Sequence, residues 1–105
     1  MSEEKKDSAM RVRMEIIFSQ ALEEDFLQAF KENDIGKHFT KFETVMGAGF
    51  STPHLGNDVW PQCNMMFIIY CSKDEAKKIR QVVQKLRKQF ITEGIACFMS
   101  QAIEL

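Results

Sequence analysis

The sequence predicts a single α+β domain in which two helices cover one face of a four-stranded antiparallel sheet. Three observations carry this prediction. Apolar residues alternate with period two in three segments while a fourth is rich in Thr, Val and Phe, apolar residues recur at helical spacing in two others, and the order along the chain is strand, helix, strand, strand, helix, strand. With 105 residues and 12.2 kDa, the chain is long enough to bury one modest core.

The first strand and the first helix are predicted between residues 10 and 33. The apolar positions of the strand are Val12, Met14, Ile16 and Phe18, which alternate with more polar residues. Ser19 stands where a helix N-cap belongs, and acidic residues follow in the first turns. We therefore expect a helix from about residue 20 to 33, with Gly36 as its left-handed stop.

Three further strands and the second helix follow. Residues 39–46 are rich in Thr, Val and Phe, and residues 63–71 alternate with both faces largely apolar. Ser72 and Glu75 form an S-x-x-E capping box at the start of the second helix. The apolar stripe of that helix is Ala76, Ile79, Val82, Val83, Leu86 and Phe90. A last strand is expected from Ile95 towards Ile103.

This βαββαβ order matches the ferredoxin-like arrangement, in which the first and third strands lie at the centre of the sheet. The third strand would then present Met66, Ile68 and Tyr70, or the opposite set, on the face that the helices leave open. A large exposed apolar patch usually marks an interaction surface. The pattern therefore predicts self-association through the open face.

Composition limits the kinds of partner. Fourteen basic and fifteen acidic residues give a net charge of −1, which argues against a nucleic-acid binder. No apolar run reaches the 18 residues of a membrane span. We interpret the polar residues 1–9 as a flexible tail before a single domain at 10–105. This tail contains no secretory signal. We therefore expect a cytoplasmic protein without membrane insertion. The three cysteines, Cys63, Cys71 and Cys97, lack zinc or redox spacing and are expected to be free thiols.

Charge is divided unevenly between the two helices. Residues 72–90 contain seven basic and two acidic residues, a net charge of +5, whereas residues 20–37 contain two basic and five acidic residues, a net charge of −3. We interpret them as two solvated helix faces that attract each other weakly. The alternative is a dedicated surface for an anion or a partner.

The longest segment without a clear period is residues 47–62. It contains three glycines, two prolines and Trp60, the only tryptophan of the chain. Long loops in compact domains are usually functional or disordered, and a purely flexible linker seldom contains a large aromatic residue. This segment is therefore the candidate functional loop.

The residues of this segment resemble PII-like signalling proteins, relatives of the nitrogen-regulatory PII family. The resemblance lies in Val-Met-Gly-Ala-Gly-Phe-Ser-Thr-Pro at 45–53 and Gly-Asn-Asp-Val-Trp-Pro at 56–61, leading into a strand. It implies a ferredoxin-like subunit and a compact homotrimer with its sheets facing inward. It also implies a non-enzymatic regulator that senses a small effector at subunit clefts and acts on a partner protein through the loop 47–62.

The resemblance also implies the site residues. Those expected to bind the ligand are Gly47, Gly49, Ser51, Lys41, Arg87 and Lys88. Those expected in the loop that contacts the partner are Phe50, Pro53, His54, Asp58 and Trp60. ATP or ADP is one possible effector, but Phe-Ile-Thr-Glu-Gly at 90–94 replaces the family's glycine-rich phosphate loop, so the effector stays open.

Two alternatives remain for the function. One is a soft-metal-binding trimer similar to the CutA proteins, with His54 and methionine or cysteine sulfurs as ligands. Most of these sulfurs alternate within strands, where Met and Cys commonly fill core gaps. The other is an oligomeric adaptor without a small ligand. An enzyme is not expected, because acid–base catalysis needs convergent titratable groups and the loop offers only His54 and Asp58. Ser51 lies near His54 in the sequence, and such neighbours seldom meet in the geometry of a nucleophile and its base.

Overall fold

Six strands and two helices lie in the part of the chain that the computed structural model describes, residues 10–45, 47–48, 53–54 and 63–105. The strands are β1 (Met10–Ser19), β2 (Thr40–Val45), β3 (Gly47–Ala48), β4 (Pro53–His54), β5 (Asn64–Cys71) and β6 (Ile95–Ile103). The helices are α1 (Glu23–Glu32), which a single 3₁₀ turn at Gln20–Leu22 precedes, and α2 (Lys73–Gln89).

The four long strands form one antiparallel sheet in the order β2-β5-β1-β6. The predicted fold class is confirmed, and β1 and β5 occupy the two central positions as expected. A register shift between Phe42 and Val45 places one extra residue in β2, a β-bulge that bends the strand where the segment 47–62 begins.

The core lies between one face of the sheet and the two helices. Its strand side chains are the buried alternating residues of β1 and β5, and its helix side chains are the predicted stripe of α2 together with Phe26 and Phe30 of α1. Phe67 lies at the centre, with ring centroids 4.9 Å from Phe18 and 4.7 Å from Phe39. The aromatic residues therefore fix α1 and the start of β2 against the sheet.

The first helix begins later than the sequence indicates. The Ser19 hydroxyl accepts a hydrogen bond from the amide of Ala21 at 3.3 Å, so it caps the 3₁₀ turn, and regular α-helix starts at Glu23. Two residues with positive φ end the connection after α1, Asp34 at 56° and Gly36 at 63°. The predicted left-handed stop at Gly36 is confirmed. The left-handed conformation of Asp34 was not predicted, because the residue there is not a glycine.

The N-terminus of α2 is tied to the end of α1. Ser72 accepts a hydrogen bond from the amide of Glu75 at 3.1 Å, as the capping box predicts. A carboxylate oxygen of Glu75 accepts the amide of Gly36 at 2.8 Å, 39 residues away in the chain. One side chain therefore holds the left-handed turn against the second helix.

We expect Glu75→Ala to lower the free energy of unfolding by about 1–2 kcal/mol, because the Gly36 amide loses its charged acceptor. Glu75→Gln keeps an acceptor oxygen at the same distance and is expected to cost less than half as much. Urea denaturation of the two variants measures the difference. Equal losses would show that the charge of Glu75, and not its acceptor, stabilises the turn.

The sequence indicates an irregular segment at 47–62, but the structure has two short strands there. Its strands β3 and β4 pair as a small antiparallel ribbon, Gly47 with His54 and Ala48 with Pro53. Strands of two residues are too short to show a period, which is why the sequence did not reveal them.

Two other expectations concern the N-terminal tail and membrane spans. The predicted tail, residues 1–9, lies outside the described residues. No helix in the described part of the chain is long and apolar enough to span a membrane.

Candidate functional site

The face of the sheet opposite the helices is not covered within the subunit. Directly opposed residues of antiparallel strands share a face, so the register defines rows across it. One row is Phe42, Met66, Ile17 and Ala96, and the next is Thr40, Ile68, Glu15 and Phe98. Phe98 is 60% exposed and Phe42 43% exposed. Apart from Thr40 and Glu15, this half of the open face is therefore apolar, as the sequence of β5 predicts.

The other half of the open face carries charge. Arg13 forms an ion pair with Glu15 at 2.9 Å between Nη1 and Oε1, and Arg11 pairs with Glu104 at 3.2 Å. The hydrogen bond to Glu15, and then one to Tyr70, raises the pKa of the Arg13 guanidinium above its ordinary value. The sequence does not reveal this cluster, because Tyr70 lies 57 positions from Arg13 and only the register brings the two opposite each other.

A shallow, open depression of about 580 Å³ lies beside this charged cluster. Its lining residues are Arg11, Tyr70, Ala102, Ile103 and Glu104. A cation and an anion line it together and already pair with each other. The depression therefore shows no surplus of one charge that would select a ligand.

The described ligand residues on the β2 side are Lys41 and Gly47. Gly47 lies in β3, just beyond the bulge, and pairs with His54. The Lys41 ammonium lies 2.9 Å from Glu23 Oε2 and 3.2 Å from Glu43 Oε1. The hydrogen bond to Glu23 chiefly, and then that to Glu43, raises the pKa of Lys41. Lys41 therefore links β2 to α1 within the subunit. The predicted ligand residues Gly49 and Ser51 lie outside the described residues.

The other predicted ligand residues lie at the far edge of the sheet. Arg87 Nε donates to the carbonyl oxygen of Ile95 at 3.1 Å, which fixes the end of α2 against the start of β6, and Lys88 is exposed on the next position. Three interstrand steps separate β2 from β6, about 14 Å at the usual spacing. The Lys41 side and the Arg87 side of the predicted site therefore do not meet within one subunit.

Of the predicted partner-loop residues, Pro53 and His54 form β4. Phe50, Asp58 and Trp60 lie outside the described residues, as do the side chains of Pro53 and His54. Among the residues that the structure describes, no three His, Cys, Asp or Glu side chains are grouped for a metal ion. The soft-metal alternative needs the side chain of His54 as a ligand, and that side chain lies outside the described residues.

The three cysteines are free thiols, as the sequence predicts. Cys71 is buried opposite Val12, and burial raises the pKa of its thiol to about 11. Burial also raises the pKa of Cys97, although the charges of Arg87 and Arg80 act in the opposite direction. Both thiols therefore stay protonated near neutral pH, which favours packing over metal ligation for them.

The geometry defines a class of protein: a ferredoxin-like subunit with one open sheet face and the candidate functional segment following its edge strand β2. Known structures narrow the class. CPII, a nitrogen regulatory PII-like protein from Thiomonas intermedia K12 bound to ADP, AMP and bicarbonate, superposes with a TM-score of 0.69 at 14% identity, covering 91% of this chain and 93% of that chain. CPII bound to ADP, AMP and acetate gives 0.69 at 17% identity, with 91% and 89% covered.

A third structure comes from another organism. A candidate PII-like signalling protein from Thermus thermophilus gives a TM-score of 0.66 at 15% identity, with 92% of this chain and 91% of that chain covered. No protein-family model matches the chain, and no curated protein matches it in sequence. At these identities the similarity establishes the fold. The chain folds as the PII-like proteins do, and the resemblance noted in residues 45–61 is confirmed at that level.

Proposed function

We propose that this chain is the subunit of a homotrimeric PII-like regulatory protein, which senses a small effector at its subunit clefts and acts on a partner protein through the segment 47–62. The observation that carries the proposal is the uncovered apolar half of the sheet, in a chain with the PII-like fold. The protein is non-enzymatic and cytoplasmic in this proposal, and nitrogen regulation is the process that the resemblance favours.

Trimer formation accounts for the open face. Met66 and Ile68 lie on a central strand and are only half-buried in the subunit, and Phe98 beside them is mostly exposed. If three sheets face inward, these side chains form a shared core. The ion pair of Arg13 and Glu15 then lies at the boundary of this core, where its mutual neutralisation limits the cost of removing charge from water.

A cleft between subunits also brings the two halves of the predicted site together. Gly47 and Lys41 lie on the β2 side of the sheet, and Arg87 and Lys88 lie at the end of α2 on the β6 side, so adjacent edges of different subunits would bring the two groups next to each other. A backbone amide near Gly47 and the three cations would suit an anionic effector. Such an effector would compete with Glu23 and Glu43 for the Lys41 ammonium.

An adenine nucleotide is the effector we test first. CPII, which has the same fold, is described with ADP and AMP bound. Binding at the cleft would change the conformation of the segment 47–62, including Gly49, Ser51 and the partner-contacting residues Phe50, Asp58 and Trp60, and so signal the effector to the partner. The ribbon of β3 and β4 supports this, because it joins the cleft residue Gly47 directly to His54.

Isothermal titration of the full chain with ADP tests the proposal. We expect saturable binding, and about tenfold weaker binding in Lys88→Ala, because one charge-assisted contact to a phosphate is lost. Lys31→Ala is the control, since Lys31 is an exposed lysine on α1 that is not among the predicted site residues. Absence of binding with ADP, AMP and ATP, or equal affinity in the two variants, would contradict the nucleotide site.

A further inference from the structure

The solvent side of α2 carries a concentration of positive charge, of which the proposed function uses only Arg87 and Lys88. From Ala76 to Gln89 the helix contains six basic residues and no carboxylate. The exposed cations of the whole helix are Lys73, Lys77, Lys78, Arg80, Lys85 and Lys88, which we call the basic face of α2. The apolar stripe of the same helix is buried, so the charge is directed away from the subunit.

The basic face of α2 is not neutralised within the described residues. The ion pairs among those residues use Arg11, Arg13, Lys37 and Lys41, and none uses a cation of this face. Asp74 is spaced to pair with Lys77 and Lys78, yet no ion pair within 4 Å joins them. The charge of one cation of this face, Lys78, makes a small contribution to lowering the pKa of Asp34.

This arrangement costs stability within the subunit. Lys73 and Lys77 are four residues apart and Lys77 and Arg80 three apart, spacings at which like charges destabilise a helix by a few tenths of a kcal/mol. Lys73 is also the first residue of α2, where the helix dipole disfavours a cation. Cations in the last turn favour the helix, but those in the first two turns are not explained by its stability.

We propose that the basic face of α2 docks an acidic polypeptide segment of a protein partner. From Lys73 to Lys88 the row is about 22 Å long at 1.5 Å per residue, the length of a short peptide. The exposed residues between the cations include Gln81 and Gln84, whose amides can bond a peptide backbone, and none is aromatic or aliphatic. The face therefore offers neither stacking for bases nor apolar anchors for a bilayer.

The acidic helix α1 beside α2 favours a partner that is narrow enough to contact α2 alone. α1 packs beside α2 on the same face of the sheet, and its ten residues carry four acids and one base, a net charge of −3. A duplex nucleic acid or an anionic bilayer would cover both helices and be repelled by α1. A single acidic segment can follow α2 alone. This surface goes beyond the proposed effector site, because it needs neither the segment 47–62 nor a nucleotide.

The test is fluorescence anisotropy with a labelled peptide of fifteen glutamates, as a function of salt. We expect binding by the full chain that weakens steeply with ionic strength, and about fivefold weaker binding by Lys77→Glu. Lys31→Glu on α1 makes the same change in net charge and is expected to alter the affinity less than twofold. Unchanged ADP titration of Lys77→Glu separates this surface from the effector site.

Four outcomes would overturn the proposal. They are no peptide binding at low salt, equal losses in Lys77→Glu and Lys31→Glu, tighter binding to a 20-base-pair duplex or to phosphatidylserine vesicles than to the peptide, and a larger assembly of the protein alone that Lys77→Glu disrupts. The third would assign the face to a nucleic acid or to an anionic membrane. The last would assign it to a second copy of this chain.

Discussion

Gly36→Ala is expected to lower the free energy of unfolding by about 3 kcal/mol. A Cβ at this position would lie 2.4 Å from Cδ2 of Phe30, and the backbone has a φ of 63°. The positive φ costs about 1–2 kcal/mol for a residue with a Cβ, and overpacking adds about 1–3 kcal/mol. Phe30 cannot yield easily, since it is 2% exposed and its ring lies 6.0 Å from that of Phe26.

The matched control is Gly94→Ala. A Cβ at Gly94 would meet nothing within 4 Å, and its φ is not in the left-handed region. We expect it to change stability by less than about 0.5 kcal/mol, or to stabilise slightly through the unfolded chain. Urea denaturation of both variants gives the comparison. A loss for Gly36→Ala no greater than for Gly94→Ala would show that the turn and Phe30 rearrange without cost.

Phe98→Lys is expected to convert the proposed trimer into folded monomers. In the subunit Phe98 is 60% exposed, and it lies opposite Glu15, so a lysine there gains a cross-strand partner of opposite charge. In the trimer the same position would be buried, and each copy would lose about 1.5–3 kcal/mol of apolar burial while placing an ammonium in the shared core. Size-exclusion chromatography with light scattering measures the mass, and circular dichroism checks the fold.

Ile91→Lys serves as the control for this substitution. Ile91 is 84% exposed, in the connection between α2 and β6 and outside the open face. We expect it to leave the mass unchanged. If Phe98→Lys also keeps the wild-type mass, the open face is not the subunit interface. If both variants dissociate, added charge rather than position is responsible.

The sequence predicted the long elements because their apolar periods are complete. β1 and α2 each bury one regular set of side chains, so their bounds and the side they present to the core follow from the pattern. For β5 the pattern predicted the strand but left open which of its two apolar faces is buried. The start of α1 was displaced, because the residues after the Ser19 cap form a 3₁₀ turn that has no period of its own. The ribbon of β3 and β4 was missed for the same reason.

The site could be predicted in kind and not in geometry. Gly47 was identified through the resemblance to PII-like proteins, but the ion pair of Lys41 with Glu23 depends on where Glu23 lies, eighteen residues earlier and on another element. The separation of Lys41 from Arg87 depends on strand order, which no local pattern contains. The charged cluster of Arg13 and Tyr70 likewise exists only through the register of β1 with β5.

Sedimentation equilibrium of the unmodified chain measures whether the proposed trimer forms, on which the shared core and the shared cleft both depend. We expect a single species of three times the 12.2 kDa subunit mass at micromolar concentration. A species of 12.2 kDa at that concentration would contradict the trimer, since the open sheet face would then be exposed and the two halves of the effector site would stay apart.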